Sequence, residues 1–168
     1  GKNDDSSWAR GQAWAIYGYT ACFRETNDSI FLNFAKDIAD MIMDRVKTED
    51  AIPYWDYDAP VTKETPRDVS AASVTASAMI ELSTMVPDGQ KYLDYAEKIL
   101  KSLSSDAYLA KVGDNQGFIL MHSVGSLPNG SEIDTPLNYA DYYYLEALKR
   151  FMELKKLRVE NGELRVIQ

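Results

Sequence analysis

Apolar residues recur at helical spacing in five stretches of the chain. In one of them they step every four positions, at Ile30, Phe34, Ile38, Ile42 and Val46. The positions between them are charged, which predicts an amphipathic helix over 30–46, and the same pattern predicts another over 90–104. The stretches 7–26, 68–86 and 137–156 are apolar or aromatic around more of their circumference, so we expect those helices to be buried on several sides.

The segments between these helices carry turn signals. The connection 48–66 is rich in Pro, Asp and aromatic residues, and a loop of this length in a compact domain is more often functional than not. The stretch 106–136 has no sustained helical period, and 118–124 within it predicts a short strand. At the end of the chain, 159–168 predicts a terminal hairpin around Asn161-Gly162.

The alternation of the two helix types predicts an all-α fold in a single domain over 1–168. Helices that are apolar all round would form an inner layer, and amphipathic helices would form an outer layer facing water. Five helices in two layers make an arc with open edges. Such edges expose apolar surface, so we expect a partner to cover them.

Composition excludes some classes of partner and leaves others open. The net charge of −8 disfavours nucleic acid and anionic membranes, which need a basic surface. No apolar run approaches the ~20 residues that span a bilayer. One His and one Cys provide no metal-binding cluster, and no cofactor is implied. Cys22 lies among apolar helical residues, which indicates a buried thiol; the cellular compartment stays open.

Arg10 and Trp14 form the first candidate site. They are four residues apart in a predicted helix, so a guanidinium and an indole would share one face. That pair is suited to a uronic acid, with the Arg binding the carboxylate and the Trp supporting the ring. Gly11 beside them would allow another element to approach closely. The alternative is that Arg10 pairs with a nearby Asp while both tryptophans of the stretch, Trp8 and Trp14, fill the core.

Acidic residues form two further groups. Asp56 and Asp58 lie beside aromatic residues and resemble a carboxylate pair for acid/base chemistry. In an extended segment their side chains would face opposite sides, and the alternative is that they bind backbone amides and fix the loop. Asp134, Asp141 and Glu146 lie around a predicted helix start, where capping is the default interpretation.

Four stretches, in order along the chain, carry a resemblance to a known family. They are Trp8 to Trp14 (WARGQAW), Pro53 to Pro60 (PYWDYDAP), Arg67-Asp68 opening a Ser/Ala-rich helix, and Glu132 to Leu148 (EIDTPLNYADYYYLEAL). Together they resemble the unsaturated glucuronyl hydrolases, glycoside hydrolase family 88. A sister family that acts on unsaturated rhamnogalacturonan has a related motif, but Gly-Gln-Ala at 11–13 is more similar to the glucuronyl version.

The resemblance implies a partial (α/α)6 barrel, of which this chain supplies about the last five helices, with a short hairpin-like loop region. It implies that an Asp protonates the vinyl ether of a 4,5-unsaturated uronic acid at C4 while water adds at C5. The hemiketal then collapses and releases the sugar. The family's catalytic aspartates lie upstream of the Trp8–Trp14 stretch, so no catalytic residue is expected here and the isolated chain should be inactive.

The resemblance also implies which residues bind substrate. Arg10, Trp14 and Trp8 match one binding stretch, and His122, Ser123 and Ser126 match a late loop that borders the pocket. The implied ligand is an unsaturated uronic-acid oligosaccharide. A complementary N-terminal half or self-association would cover the open edges. The other interpretation is a fragment that binds uronic-acid sugars without cleaving them, or that only associates with itself.

Overall fold

The computed structural model describes residues 1–161 and contains the five expected α-helices in that range. The helices are α1 (Ala9–Thr26), α2 (Ser29–Arg45), α3 (Val69–Ser83), α4 (Gln90–Leu103) and α5 (Asn138–Glu160). Two short antiparallel strands, β1 (Ser123–Ser126) and β2 (Ser131–Thr135), form a hairpin between α4 and α5. Short 3₁₀ turns lie at Asn115–Gly117 and Leu127–Asn129.

Helix α3 is the centre of the fold. Every residue of this helix except Glu81 is buried, and most of them are Ala, Ser or another small residue, which lets neighbouring helices approach closely. Helices α1 and α5 pack against its two sides, α4 covers it from outside, and α2 packs on α1. The result is an inner layer of α1, α3 and α5 and an outer layer of α2 and α4. The predicted double layer is confirmed.

Side-chain caps and tight turns fix where the helices begin and end. The Asp28 carboxylate accepts a hydrogen bond from the Ile30 amide and begins α2, and Asp68 does the same for the first amides of α3. Asn27 follows α1, and its left-handed conformation (φ 55°) terminates the helix. Gly89 immediately precedes α4, and a Cβ atom there would lie 1.9 Å from the Ser83 carbonyl oxygen. Only glycine fits there.

The arc leaves apolar side chains exposed on two helices. Ile30 and Phe34 on α2 are 52% and 47% exposed, and Tyr142, Leu145 and Met152 on α5 are 59%, 51% and 69% exposed. These residues are large and apolar, and water contact at them is unfavourable. The exposed apolar surface expected of an open arc is therefore present.

Several local predictions are wrong. The strand predicted over 118–124 begins only at Ser123, since the preceding residues make a single bridge between Leu109 and Leu120. Cys22 is exposed, not buried, because α3 and α2 pack on other faces of α1. Helix α5 continues through Val159 to Glu160, so the predicted terminal hairpin does not begin at 159; its remaining residues, 162–168, lie outside the described range.

No helix within residues 1–161 has the length and apolarity needed to cross a membrane.

Candidate functional site

The site is built where the inner helices begin. Trp8 precedes α1 in an extended conformation, and its neighbours pair with the loop that follows α2. The Ala9 amide donates to the Trp55 carbonyl at 3.0 Å, and the Tyr57 amide donates to the Ser7 carbonyl at 3.0 Å. The long loop predicted as functional therefore lies along the start of α1, and its backbone is satisfied by that pairing.

The Arg10 guanidinium lies at the centre of the site and is only 5% exposed. Its Nη1 donates to the Asp68 carboxylate at 3.1 Å, to Ser70 Oγ at 3.1 Å and to the Val124 carbonyl. Its Nη2 donates to the Gly125 carbonyl at 2.7 Å. Arg10 thus pairs with an Asp, as the alternative interpretation had it. Whether it also meets a ligand stays a prediction.

Asp68 joins three elements at one carboxylate. Besides the Arg10 ion pair, it accepts from the Ser70 and Ala71 amides, from Ser70 Oγ and from the Val124 amide. Complete burial raises the pKa of the Asp68 carboxyl, and the Arg10 guanidinium is the strongest of the groups that oppose this rise. Because α1, α3 and β1 all meet at this group, it fixes their relative positions.

Aromatic rings surround Arg10 on two sides. The guanidinium carbon lies 4.6 Å from the centroid of the Trp8 ring and 5.2 Å from that of Tyr139. Trp14 does not contact Arg10 in this way; its ring is 6.4 Å from Tyr139 and 5.1 Å from Tyr143, edge to face with the latter. Tyr139 therefore lies between the two predicted partners. Sequence reasoning gave it no role, although it lies within a motif of the resembled family.

The late loop reaches the site through its backbone more than its side chains. The carbonyls of Val124 and Gly125 accept from Arg10, while Ser126 Oγ accepts from Asn129 at 2.9 Å. Ser123 is fully buried, and its Oγ has no hydrogen-bond partner within residues 1–161. Carbonyl positions do not depend on side-chain identity, so sequence carries no direct signal for them.

The His122 side chain pairs with Asp134 and not with Arg10. Its Nδ1 lies 2.6 Å from Asp134 Oδ1, and both residues have left-handed backbone (φ 66° and 50°). Such conformations are unusual for non-glycine residues. The His122 carbonyl accepts from the Val69 amide at the start of α3. The residue thus anchors the hairpin to the inner layer, and its predicted contact with a ligand remains a prediction.

A pocket of about 210 Å³ opens beside this arrangement. Its walls bring together Trp8, Trp55 and the loop residues Gly125 and Ser126. Arg10 lies behind it, beneath Trp8 and bonded to Gly125, while Trp14, His122 and Ser123 are not part of the lining. Trp55 was not predicted as a site residue, because nothing in the loop sequence says which of its rings faces the pocket.

The carboxylates of Asp56 and Asp58 have structural partners. Asp56 is 1% exposed and accepts from the Lys2 amide, Ser6 Oγ and the Asp58 amide. Asp58 accepts from the Ser7 amide at 2.8 Å and from Arg45 at 2.6 Å. The Ser7 amide and the Arg45 guanidinium hold the pKa of Asp58 below its usual range. The interpretation that these residues fix the loop is confirmed.

The acids near the start of α5 do not cap it. The Asp141 carboxylate accepts from the Ile119 and Leu120 amides, and Glu146 accepts from Tyr17 Oη at 3.1 Å and from Ser77 Oγ. The capping prediction is wrong, because tertiary neighbours offer these carboxylates better donors. Burial, with the Glu146 charge second, raises the pKa of Tyr17 to about 12.

Comparison with known proteins defines the family. A family model, glycosyl hydrolase family 47, matches residues 11–154. An unsaturated glucuronyl hydrolase of Formosa agariphila is 46% identical over 92% of this chain and 38% of its own length. An unsaturated chondroitin disaccharide hydrolase of Streptococcus agalactiae is 33% identical over 90% of this chain and 38% of its own length. The chain spans about two fifths of the curated relatives it matches.

Solved structures agree with the sequence relatives. A crystal structure described as an unsaturated glucuronyl hydrolase specific for heparin superimposes with a TM-score of 0.88 at 60% identity, over 90% of this chain and 41% of that one. A mutant unsaturated glucuronyl hydrolase from Streptococcus agalactiae, complexed with dGlcA-GalNAc6S, gives a TM-score of 0.83 at 34% identity. The match covers 90% of this chain and 41% of that one. The chain belongs to the glycosyl hydrolases, and the relatives and solved structures to which it is similar are unsaturated glucuronyl hydrolases.

The matching family model is glycosyl hydrolase family 47, whereas the sequence motifs resemble family 88. Both are families of glycosyl hydrolases. Identities of 46% and 60% over nearly the whole chain show its similarity to unsaturated glucuronyl hydrolases. The fold of the chain is accordingly part of an (α/α)6 barrel, with α1, α3 and α5 in the inner ring.

Proposed function

We propose that this chain is the C-terminal part of an unsaturated glucuronyl hydrolase and belongs to a single barrel domain. The whole enzyme would release 4,5-unsaturated glucuronic acid from lyase-generated glycosaminoglycan oligosaccharides by hydration of the vinyl ether. The observation that carries the proposal is the Arg10 guanidinium, held between aromatic rings where the inner helices begin. In this proposal the chain provides the wall that binds the substrate.

The protein acceptors do not use every N–H group of Arg10, and we infer that the unused ones bind a ligand. Nη1 has three protein acceptors and Nη2 has one, whereas Nε has no acceptor within residues 1–161. The Nε–Nη2 edge is the fork that binds a carboxylate through two parallel hydrogen bonds. Trp8, Trp14 and Tyr139 beside it offer faces for a sugar ring. Ser126 in the adjoining pocket would contact the next sugar, with Ser123 and His122 shaping that loop.

We propose that the proton donor comes from outside the described residues, because Asp68, Asp56 and Asp58 are unsuited to the role. Asp68 has a raised pKa but is fully buried behind Arg10, so it cannot reach a sugar. Asp56 and Asp58 are engaged by the donors described above. A general acid needs both a proton near neutral pH and access to the substrate. We therefore expect the isolated chain to be inactive on unsaturated disaccharides when loss of the double-bond absorbance is followed.

Rapid turnover by the purified chain would contradict this and would direct attention to Asp56 and Asp58. Restored turnover on adding a separately expressed N-terminal half of the barrel would support it. That half would also cover the exposed apolar faces of α2 and α5. Light scattering of the chain alone tests the other occupant, a second copy of itself.

Ligand binding is testable on the isolated chain by calorimetry. Because a solved relative at 60% identity is described as specific for heparin, we expect an unsaturated heparin disaccharide to bind more tightly than its chondroitin counterpart. Trp14→Ala should abolish binding, whereas Phe34→Ala, an exposed ring on α2, should leave it unchanged. Equal affinities in both variants would contradict the site, and tighter binding of an unsaturated rhamnogalacturonan disaccharide would favour the sister family.

A further inference from the structure

A second, larger pocket lies on the other side of the loop segment 53–57. Its volume is about 340 Å³, within the ~300–1,000 Å³ range of small-molecule sites. Pro53, Tyr54 and Tyr57 line it, whereas Trp55 lines the pocket beside Trp8. One extended segment therefore separates the two pockets and provides walls to both. We call the second one the basic pocket, formed chiefly by Arg45, Lys47, Tyr54, Tyr57, Val61 and Arg67.

Three cations line the basic pocket, and their carboxylate partners lie outside the lining. Arg45 pairs with Asp58 at 2.6 Å, Lys47 with Asp44 at 3.1 Å and Arg67 with Asp50 at 3.3 Å. None of those three acids is among the lining residues. The pocket wall is therefore made of the cationic groups, with the acids behind or beside them.

The one acid in the lining does not offset this charge at the surface. Asp56 is 1% exposed, and its two carboxylate oxygens are engaged by the Lys2 amide, Ser6 Oγ and the Asp58 amide. Its charge is thus directed toward the chain start rather than into the cavity. An anion entering the pocket would meet donors rather than a free carboxylate.

Both guanidinium groups keep unused donors. Arg45 donates only through Nη2, to Asp58. Arg67 donates only through Nη1, to Asp50 and to the Ile52 carbonyl. Their other N–H groups have no hydrogen-bond partner within residues 1–161. Each guanidinium lies over a tyrosine ring, Arg67 at 4.5 Å from Tyr54 and Arg45 at 5.8 Å from Tyr57. Stacking holds the planar fork in place, and that geometry matches a carboxylate or sulfate.

We propose that the basic pocket binds a sulfate- or carboxylate-bearing sugar, as a second saccharide site separate from the one at Arg10. The Tyr54 and Tyr57 rings would contact the sugar, and Arg45, Lys47 and Arg67 would bind its anionic group. The choice of a glycosaminoglycan sugar rests on the proposed function, whereas the anion site itself does not. A longer chain held here would remain bound beside the pocket where the terminal sugar is released.

The probe for this site is a saturated heparin tetrasaccharide with glucosamine at its nonreducing end, so that it lacks the terminal uronic-acid carboxylate expected to bind near Arg10. Calorimetry should show binding that weakens with salt, since ionic contacts are screened. Inorganic sulfate, titrated separately, distinguishes simple anion binding from binding of the sugar. If sulfate binds but the tetrasaccharide binds no tighter than sulfate, the saccharide assignment is overturned.

Val61→Asp tests the pocket without removing a structural bond, because Val61 is 62% exposed at its mouth. A new carboxylate there should weaken tetrasaccharide binding about tenfold or more, the effect typical of one charged contact. Val112→Asp is the matched control, since Val112 is fully exposed and lines no part of this pocket. Arg45→Gln should weaken binding similarly. Unchanged affinity in both pocket variants, or an equal loss in the control, would overturn the proposal.

Trp14→Ala separates this proposal from the proposed function. It should abolish binding of the unsaturated disaccharide and leave the saturated tetrasaccharide unaffected. If the variant loses both ligands, there is a single site and the second one is refuted. If the chain binds the tetrasaccharide through Arg45 but binds no unsaturated disaccharide, the proposed function fails and the basic pocket stands.

Discussion

Replacing Asp68 by Asn should destabilise the chain severely, although the change keeps the size of the side chain. Asn retains an oxygen that can cap α3, so the main loss is the negative charge opposite Arg10. The guanidinium is only 5% exposed and would be left facing the Val124 and Gly125 carbonyls and a neutral amide. Breaking a buried pair by removing one partner costs about 3–5 kcal/mol, a large share of the ~5–15 kcal/mol typical of a domain.

A double-mutant cycle assigns this cost to the ion pair itself. Arg10→Met alone should also destabilise, because it leaves the Asp68 charge buried. Made in the Asp68→Asn background, the same change should cost about 2–3 kcal/mol less, since no unpaired charge then remains. Urea unfolding followed by circular dichroism gives the four free energies of unfolding. Asp44→Asn, which breaks only an exposed pair with Lys47, is the control and should change little.

Additive effects would refute this reasoning. If the two single changes sum to the double change within about 0.5 kcal/mol, Arg10 and Asp68 do not stabilise each other. The same result would weaken the proposed function, because the ion pair is what orients the Arg10 edge toward a ligand. A large coupling would show that the site and the junction of α1, α3 and β1 depend on one buried contact.

Three further predictions test separate parts of the structure. Gly89→Ala should destabilise the chain by about 1–3 kcal/mol, because the new Cβ would overlap the Ser83 carbonyl. Gly18→Ala has open space around it and should stabilise α1 by up to about 1 kcal/mol. If the urea midpoints of both variants shift in the same direction, this prediction is contradicted. Burial raises the pKa of Tyr17 and Tyr95 to about 12, above the ~10 of tyrosine in the unfolded chain. The stability that these neutral phenols contribute should therefore be full below pH ~10 and be lost as pH rises toward 12. The free energy of unfolding measured against pH checks this, and an unchanged value through that window would refute it. Cys22 is exposed and should react with a thiol reagent in the folded chain as fast as in urea; strong protection would show that another surface covers it.

Helical periodicity was sufficient to predict the number, order and layering of the helices. The alternation between α3, which is buried on nearly every face, and α2 and α4, which are amphipathic, is a one-dimensional pattern that follows from burial. The family motifs predicted six binding residues: Trp8, Arg10, Trp14, His122, Ser123 and Ser126. Of these, Trp8 and Ser126 line the pocket beside Trp8, and Arg10 bonds to Gly125 in its wall. The fixing role of Asp56 and Asp58 also followed from local chemistry.

Contacts between distant segments were decided only by the tertiary structure. Which carboxylate pairs with Arg10, and that Tyr139 lies between Arg10 and Trp14, depend on how α1, α3 and α5 are placed side by side. The acids of α5 bind loop amides and neighbouring helices instead of capping their own helix, because packing supplies those donors. The exposure of Cys22 likewise depends on which face of α1 meets α2 and α3. Periodicity determines which face of a helix is apolar, but only packing determines what that face meets.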